Sequence, residues 1–307
     1  MPDHHHGDHA HHGHAHRPAN FDRAFAIGVA LNFGFVAVEA VYGVLANSLA
    51  LLADAGHNLS DVAGLLLAWG AAWLGRKRPT ATRTYGYGRT TILAALGNAV
   101  LLLLAIGAVA WEAVKRLQAP QAVDGRTVMI VAAVGIAINT ATALLFMRGR
   151  KTDINIRAAF VHMASDAVVS VGVVISGLVI IRTGWLWLDP AVSLAIVAII
   201  AIGTWGLLKD SVALAIDAVP PGIDPVQVSS HLEQLDGITQ VHDLHIWPLS
   251  TTSTALTVHL VTNEQRIDDA FTAKVADELR TRFGIHHATI QMETGELPCD
   301  LEPDHVV

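Results

Sequence analysis

Two histidines, His57 and His162, are each followed four residues later by an aspartate, Asp61 and Asp166, and all four lie inside long apolar stretches. Residues i and i+4 share one face of an α-helix. Two such helices side by side would converge two imidazoles and two carboxylates on one point. That donor set suits a tetrahedral first-row divalent ion, with zinc the default, and the absence of a thiolate disfavours Cu(I). The competing reading is hydrogen bonding between helices, but the pair occurs twice, and these are the only histidines between Arg17 and Ser230. Charged side chains cost roughly 2.5–3.5 kcal/mol at mid-membrane, so those retained there are paired or functional.

The same donors couple metal to protons, because imidazole titrates near neutral pH once a metal leaves it. Zinc entering from one side would displace protons, and protons arriving from the other side would displace zinc. Asp54, three residues before His57, falls on nearly the same helical face and would orient that imidazole or relay protons. Glu39 and Asn139 lie mid-span and would line the same cavity, with interhelical packing equally open for Asn139. Glu112 is expected to reach the outer interface.

Stepping from the ligands to their supports, 52% hydrophobic residues and 15% charged residues in 307 point to a membrane protein. Six apolar windows, near 24–46, 49–74, 91–112, 127–147, 157–181 and 188–208, are each long enough to cross a bilayer of roughly 30 Å. With the N-terminus inside, the inner segments carry 12 Lys and Arg and the outer loops 4. Both termini are therefore expected in the cytosol. Counted from outer ends at Leu49 and Ile181, the two His/Asp pairs sit at depths that differ by about 10 Å, an offset that would break the four-ligand site.

Three further segments complete the chain. Residues 1–20 hold eight histidines, His4, His5, His6, His9, His11, His12, His14 and His16, among Asp, Gly and Ala. They are expected to be disordered and to collect metal loosely, an added purification tag being the alternative. No cleavable signal peptide is evident. The six-helix domain takes 21–208. Residues 209–307 carry 5 basic and 16 acidic side chains, which speaks against nucleic-acid binding and for handling cations. Within 209–300 the pattern reads helix 225–235, strands 239–247 and 255–262, helix 268–283 and strand 288–293, an αββαβ domain with helices on one face of a small sheet. Residues 301–307 form a tail.

The motifs SLALLADAGHNLSD, TYGYGRTTILAAL, HMASD and VHDLHIW, which together cover essentially the whole chain, resemble the cation diffusion facilitator family, and in particular its bacterial zinc, cobalt and cadmium efflux members. The resemblance implies a homodimeric exporter in a bacterial inner membrane, a cytosolic domain of metallochaperone-like fold, and transport ligands at His57, Asp61, His162 and Asp166. In similar proteins a histidine at the first ligand position accompanies zinc preference over cadmium. The loop RKRPTATRTYGYGR has neither Asp nor His, so the extra metal site some members carry there is expected to be missing. RGRKTDINIR likewise lacks the histidines of many eukaryotic relatives.

The resemblance also implies a cytosolic zinc site at His242, His259 and Glu293, with Cys299 as a fourth ligand; solvated polar residues on a sheet face are the alternative. Strand alternation sets His242 opposite His245, so one histidine of HDLH is expected at the site. His286 and His287 are evenly divided between ligand and solvent, and His231 is expected to be solvated. Cys299 is the single cysteine, so no internal disulfide is available. The function expected is export of Zn2+, with Co2+ and Cd2+ as further cargo, in exchange for protons by alternating access. A membrane metal sensor and an intramembrane metal-dependent enzyme are the alternatives, the latter without a His-Glu-x-x-His motif.

Overall fold

The computed structural model describes residues 33–147, 154–263 and 269–302. The histidine-rich stretch 1–16, the start of the first apolar window and the end of the tail lie outside them. The membrane part consists of α1 (Phe33–Leu45), α2 (Leu49–Gly75), α3 (Thr90–Gln118), α4 (Gly125–Phe146), α5 (Ile154–Thr183) and α6 (Leu188–Ala215). Helices α3 to α6 each contain a stretch long and apolar enough to cross a membrane. Helix α2 has 27 residues, about 40 Å at 1.5 Å per residue, and carries His57 and Asp61, while α5 carries His162 and Asp166. Large apolar side chains such as Leu101, Trp111, Val168, Ile202 and Trp205 stay exposed on the outside of the bundle, as a hydrocarbon solvent permits.

Local chemistry sets the helix starts. Ser48 caps α2 by accepting from the Leu51 N–H, and Asp124 caps α4 by accepting from the N–H groups of Arg126 and Thr127. Hydrogen bonds from the Thr127 hydroxyl and backbone hold the Asp124 carboxyl below its ordinary range. Glu112 pairs with Arg116 at 3.2 Å near the end of α3. Helix α6 runs seven residues past the expected boundary at 208, to Ala215.

Beyond it, α7 (Pro225–Glu233), β1 (Ile238–Pro248), β2 (Thr254–Thr262), α8 (Asp269–Phe283) and β3 (His287–Glu293) give the αββαβ order. The sheet order is β1-β2-β3, with β1 antiparallel and β3 parallel to β2. Val228 and Leu232 of α7 and Val275 and Leu279 of α8 bury against Leu256, Val258 and Leu260 of β2. Asp224 and Pro225 start α7. Gly284, at φ +70°, ends α8 in the left-handed region and turns the chain into β3.

Candidate metal centres

The structure brings the four intramembrane residues together. His162 Nε2 lies 3.1 Å from Asp61 and 3.6 Å from Asp166, and His57 Nε2 lies 3.6 Å from Asp61 and 3.9 Å from Asp166. Donors bound at about 2.0–2.1 Å in a tetrahedron stand about 3.3 Å apart; His57, Asp61 and His162 offer one ligand atom each, all within 4.8 Å of one another, while Asp166 stands beside this trio with a different oxygen toward each histidine. The rings of His57 and His162 meet edge to face at 5.8 Å.

The expected depth offset disappears, and the reason is where the helices begin. Asp124 N–H donates to the Ala46 carbonyl at 3.1 Å, and neighbouring Gly125 packs against Gly177 so closely that an added Cβ would sit 2.9 Å from the Gly177 carbonyl. Ala46 and Gly177 therefore share a level. From Ala46 to residue 59, the midpoint of the first pair, is 13 residues; from residue 164, the midpoint of the second, to Gly177 is also 13. Helix α5 runs six residues past that level, to Thr183, whereas α2 begins three residues inside it, at Leu49.

Sequence reasoning missed what fixes that start. Asp189 of α6 is buried; it accepts from the Ser48 hydroxyl and from the Leu49 N–H at 2.7 Å, and Ser193 donates to the Leu49 carbonyl at 3.3 Å. An Asp in the first turn of α6 reads as a cap of its own helix; here it caps another. Glu39 and Asp54 are buried, Asp54 faces Glu39 and Ser170, and Asn58 donates to Glu39 at 3.5 Å. Asn139 is buried, and neither of its polar side-chain atoms is hydrogen-bonded among the described residues.

A second cluster forms on the sheet. His242 and His259 are paired across β1 and β2, and with Glu293 and Cys299 they offer one ligand atom each within 4.8 Å of one another. His259 Nδ1 is 3.0 Å from Glu293 and 3.6 Å from Cys299 Sγ, and His242 Nε2 is 3.4 Å from Glu293. His242 is buried, yet both its ring nitrogens lack a hydrogen-bond partner among the described residues. Orphaned buried nitrogens are costly, and a metal would satisfy one. Gln240 donates to Glu302 at 3.0 Å and ties the segment bearing Cys299 back to β1.

Two expectations for this domain need correction. Strict alternation through HDLH fails, because His242 pairs with His259 and His245 with Thr257, three residues against two, a bulge with Asp243 at φ 51°. His231 is not solvated: Nε2 contacts Glu278 at 3.0 Å and Nδ1 contacts Arg282 at 3.1 Å. His287 stacks edge-on with Tyr85 and is not in the cluster.

Two family models cover the chain, "Cation efflux transmembrane domain" over residues 25–214 and "Cation efflux protein, cytoplasmic domain" over residues 220–295. The chain belongs to the cation efflux family. It is similar to the "Cadmium, cobalt and zinc/H(+)-K(+) antiporter" of Bacillus velezensis, 37% identical over 266 residues and 85% of each chain. It is 34% identical to the "Metal cation efflux system protein CzcD" of Cupriavidus metallidurans over 92% of this chain and 89% of that one. It is 36% identical to the "Zinc transporter ZitB" of Escherichia coli over 88% and 86%. This cation efflux protein is thus a multi-pass membrane transporter and not an enzyme. Membership lends no support to the readings as a sensor or an intramembrane enzyme.

Proposed function

We propose that this cation efflux protein carries Zn2+, with Co2+ and Cd2+ as further cargo, out of the cytosol in exchange for protons, and that His57, Asp61, His162 and Asp166 hold the ion in transit. The observation that carries this reading is the convergence of two imidazoles and two carboxylates from α2 and α5 at 3.1 to 3.9 Å inside the membrane bundle. Relatives named for cadmium, cobalt and zinc antiport and for zinc transport support it.

Charge explains the exchange. Two carboxylates balance one Zn2+, and the same carboxylates balance two imidazolium protons once the ion has gone. Either load leaves the intramembrane site neutral, whereas an empty, unprotonated site would hold two uncompensated charges within the membrane at high cost. Asp189 to Ser48 and Asp124 to Ala46 join the helices at the start of α2, the end this reading assigns to the outside, and alternating access would open the bundle there for release. Glu39, Asp54 and Asn139 form the polar surround that orients the ligands and passes protons.

His242, His259, Glu293 and Cys299 hold a cytosolic Zn2+, which would supply a positive charge that draws acidic tails together. The domain pairs two copies into a homodimer. The N-terminal histidines collect metal ahead of it. The protein sits in a bacterial inner membrane with both termini cytosolic, in line with 12 inner against 4 outer Lys and Arg.

Proteoliposomes loaded with a zinc dye test the reading. An imposed pH gradient should drive zinc flux in the wild type, and Asp61→Ala should reduce that flux to the protein-free background. Flux indifferent to the gradient removes proton exchange, and full flux in Asp61→Ala removes the assigned site.

A further inference from the structure

Beside the cytosolic cluster stands a carboxylate outside its ligand set. Asp243 follows His242 in β1, and its side chain is only 10% exposed. One carboxylate oxygen lies 3.4 Å from His259 Nε2, and the other lies 2.8 Å from His245 Nε2. His259 aims its other nitrogen, Nδ1, at Glu293 and Cys299. An imidazole bound to metal through one nitrogen keeps its proton on the other, and metal-bound histidines nearly always give that proton to a carboxylate, a carbonyl or water.

We propose that Asp243 is the positioning residue of the cytosolic metal centre: it accepts the Nε2–H of His259 and so fixes the tautomer that leaves Nδ1 free for the ion. The proposal rests on the reading of His242, His259, Glu293 and Cys299 as ligands. The backbone argues for it independently of the distances. In a regular strand, Asp243 would point to the face opposite His242. The bulge and the left-handed φ of 51° turn it back toward His259, in a conformation that Asp and Asn adopt more readily than other side chains. Strained backbone of this kind persists where the surroundings need it. His245, at 41% side-chain exposure, anchors the second oxygen and so fixes the plane of the carboxylate. Its part is to hold Asp243, not the metal.

The test uses the full-length protein carrying Asp61→Ala, with zinc titrated against a competing chelator and Co2+ as a spectroscopic probe. Asp243→Asn keeps the shape and tolerates the backbone angle while removing the charge. It should weaken the tight class of zinc binding by about 10–100-fold. The Co2+ bands, including the thiolate charge-transfer band, should keep their positions, because no ligand has changed. Selective 15N labelling of histidine should show a hydrogen-bonded Nε2 proton on zinc-bound His259 that is weakened in Asp243→Asn, whose neutral amide oxygen is a poorer acceptor, and lost in Asp243→Gly, a signature that a purely structural role would not move. Asp243→Gly, which also allows positive φ, should show the same loss and carries the test if the Asn variant folds poorly.

Unchanged affinity in both variants overturns the proposal. So do shifted Co2+ bands, which would make Asp243 a ligand. His242→Ala separates the two claims: tight binding that survives it overturns the ligand set and the proposal together, whereas binding lost in His242→Ala but kept in Asp243→Asn overturns the proposal alone.

Discussion

His57 and His162 each face both aspartates, within 3.1 to 3.9 Å, and the compact part of the proposed intramembrane centre is His57, Asp61 and His162. Ligand type then sets what it accepts. His57→Asp trades an imidazole for a third carboxylate, giving a more oxygen-rich and more negative site. It should raise the ratio of Cd2+ to Zn2+ flux on the order of tenfold, measured by competition in the same vesicles; an unchanged ratio would place selectivity elsewhere. These four residues were legible because i, i+4 spacing survives in any straight helix. Asp243 was not, because its contact depends on a bulge that breaks the period of two. The signal for it was an Asp inside a strand, where that residue is depleted.

Helix α2 carries half of the ligand ring, and its position is set from outside itself. The caps that sequence shows, Ser48 and Asp124, are local. The cap that counts most, Asp189, comes from α6. Asp189→Ala would leave the Leu49 N–H and the Ser48 hydroxyl buried without this acceptor, at about 1–3 kcal/mol for each orphaned donor. A lowered unfolding temperature in detergent, together with weaker zinc binding at the intramembrane site, is the expected result. A stable protein with normal zinc affinity would show that α2 is placed by packing alone. The apolar windows located the starts of five helices, α2 to α6, to within three residues, but α3 and α6 run six and seven residues past the expected ends, and the windows misjudged depth. Hydropathy marks where a helix is apolar, not where its end lies relative to a neighbour: α5 projects past Gly177, while Leu49, Ala50 and Leu51 are already buried at the start of α2.

The membrane and cytosolic parts touch through the loop that contains YGYGR. Arg89 pairs with Asp217, the Thr251 N–H donates to the Thr91 hydroxyl at 3.0 Å, and Tyr85 meets His287. Gly88 lies against Leu249 so tightly that a Cβ would come within 2.6 Å of its carbonyl oxygen, which gives the glycine of that motif a physical reason. A state change in the sheet domain therefore bears on the N-terminal end of α3. In a homodimer, metal bound near the acidic tails should draw the two domains together and bias the membrane helices. Double electron-electron resonance between labels on the two tails should record a longer distance after chelation, with slower transport. Distance and rate both unchanged would contradict regulation through this domain.

The account stands on the ligand ring, and zinc X-ray absorption tests it directly. One equivalent of zinc is bound to the full-length protein in which His242→Ala and Glu293→Ala have removed the cytosolic centre. The prediction is four nitrogen and oxygen donors at about 2.0–2.1 Å, two of them imidazoles, no sulfur, and the loss of one imidazole in His162→Ala. A spectrum that His162→Ala leaves unaltered, or a shell made only of imidazoles, would place the zinc on other histidines and contradict the account.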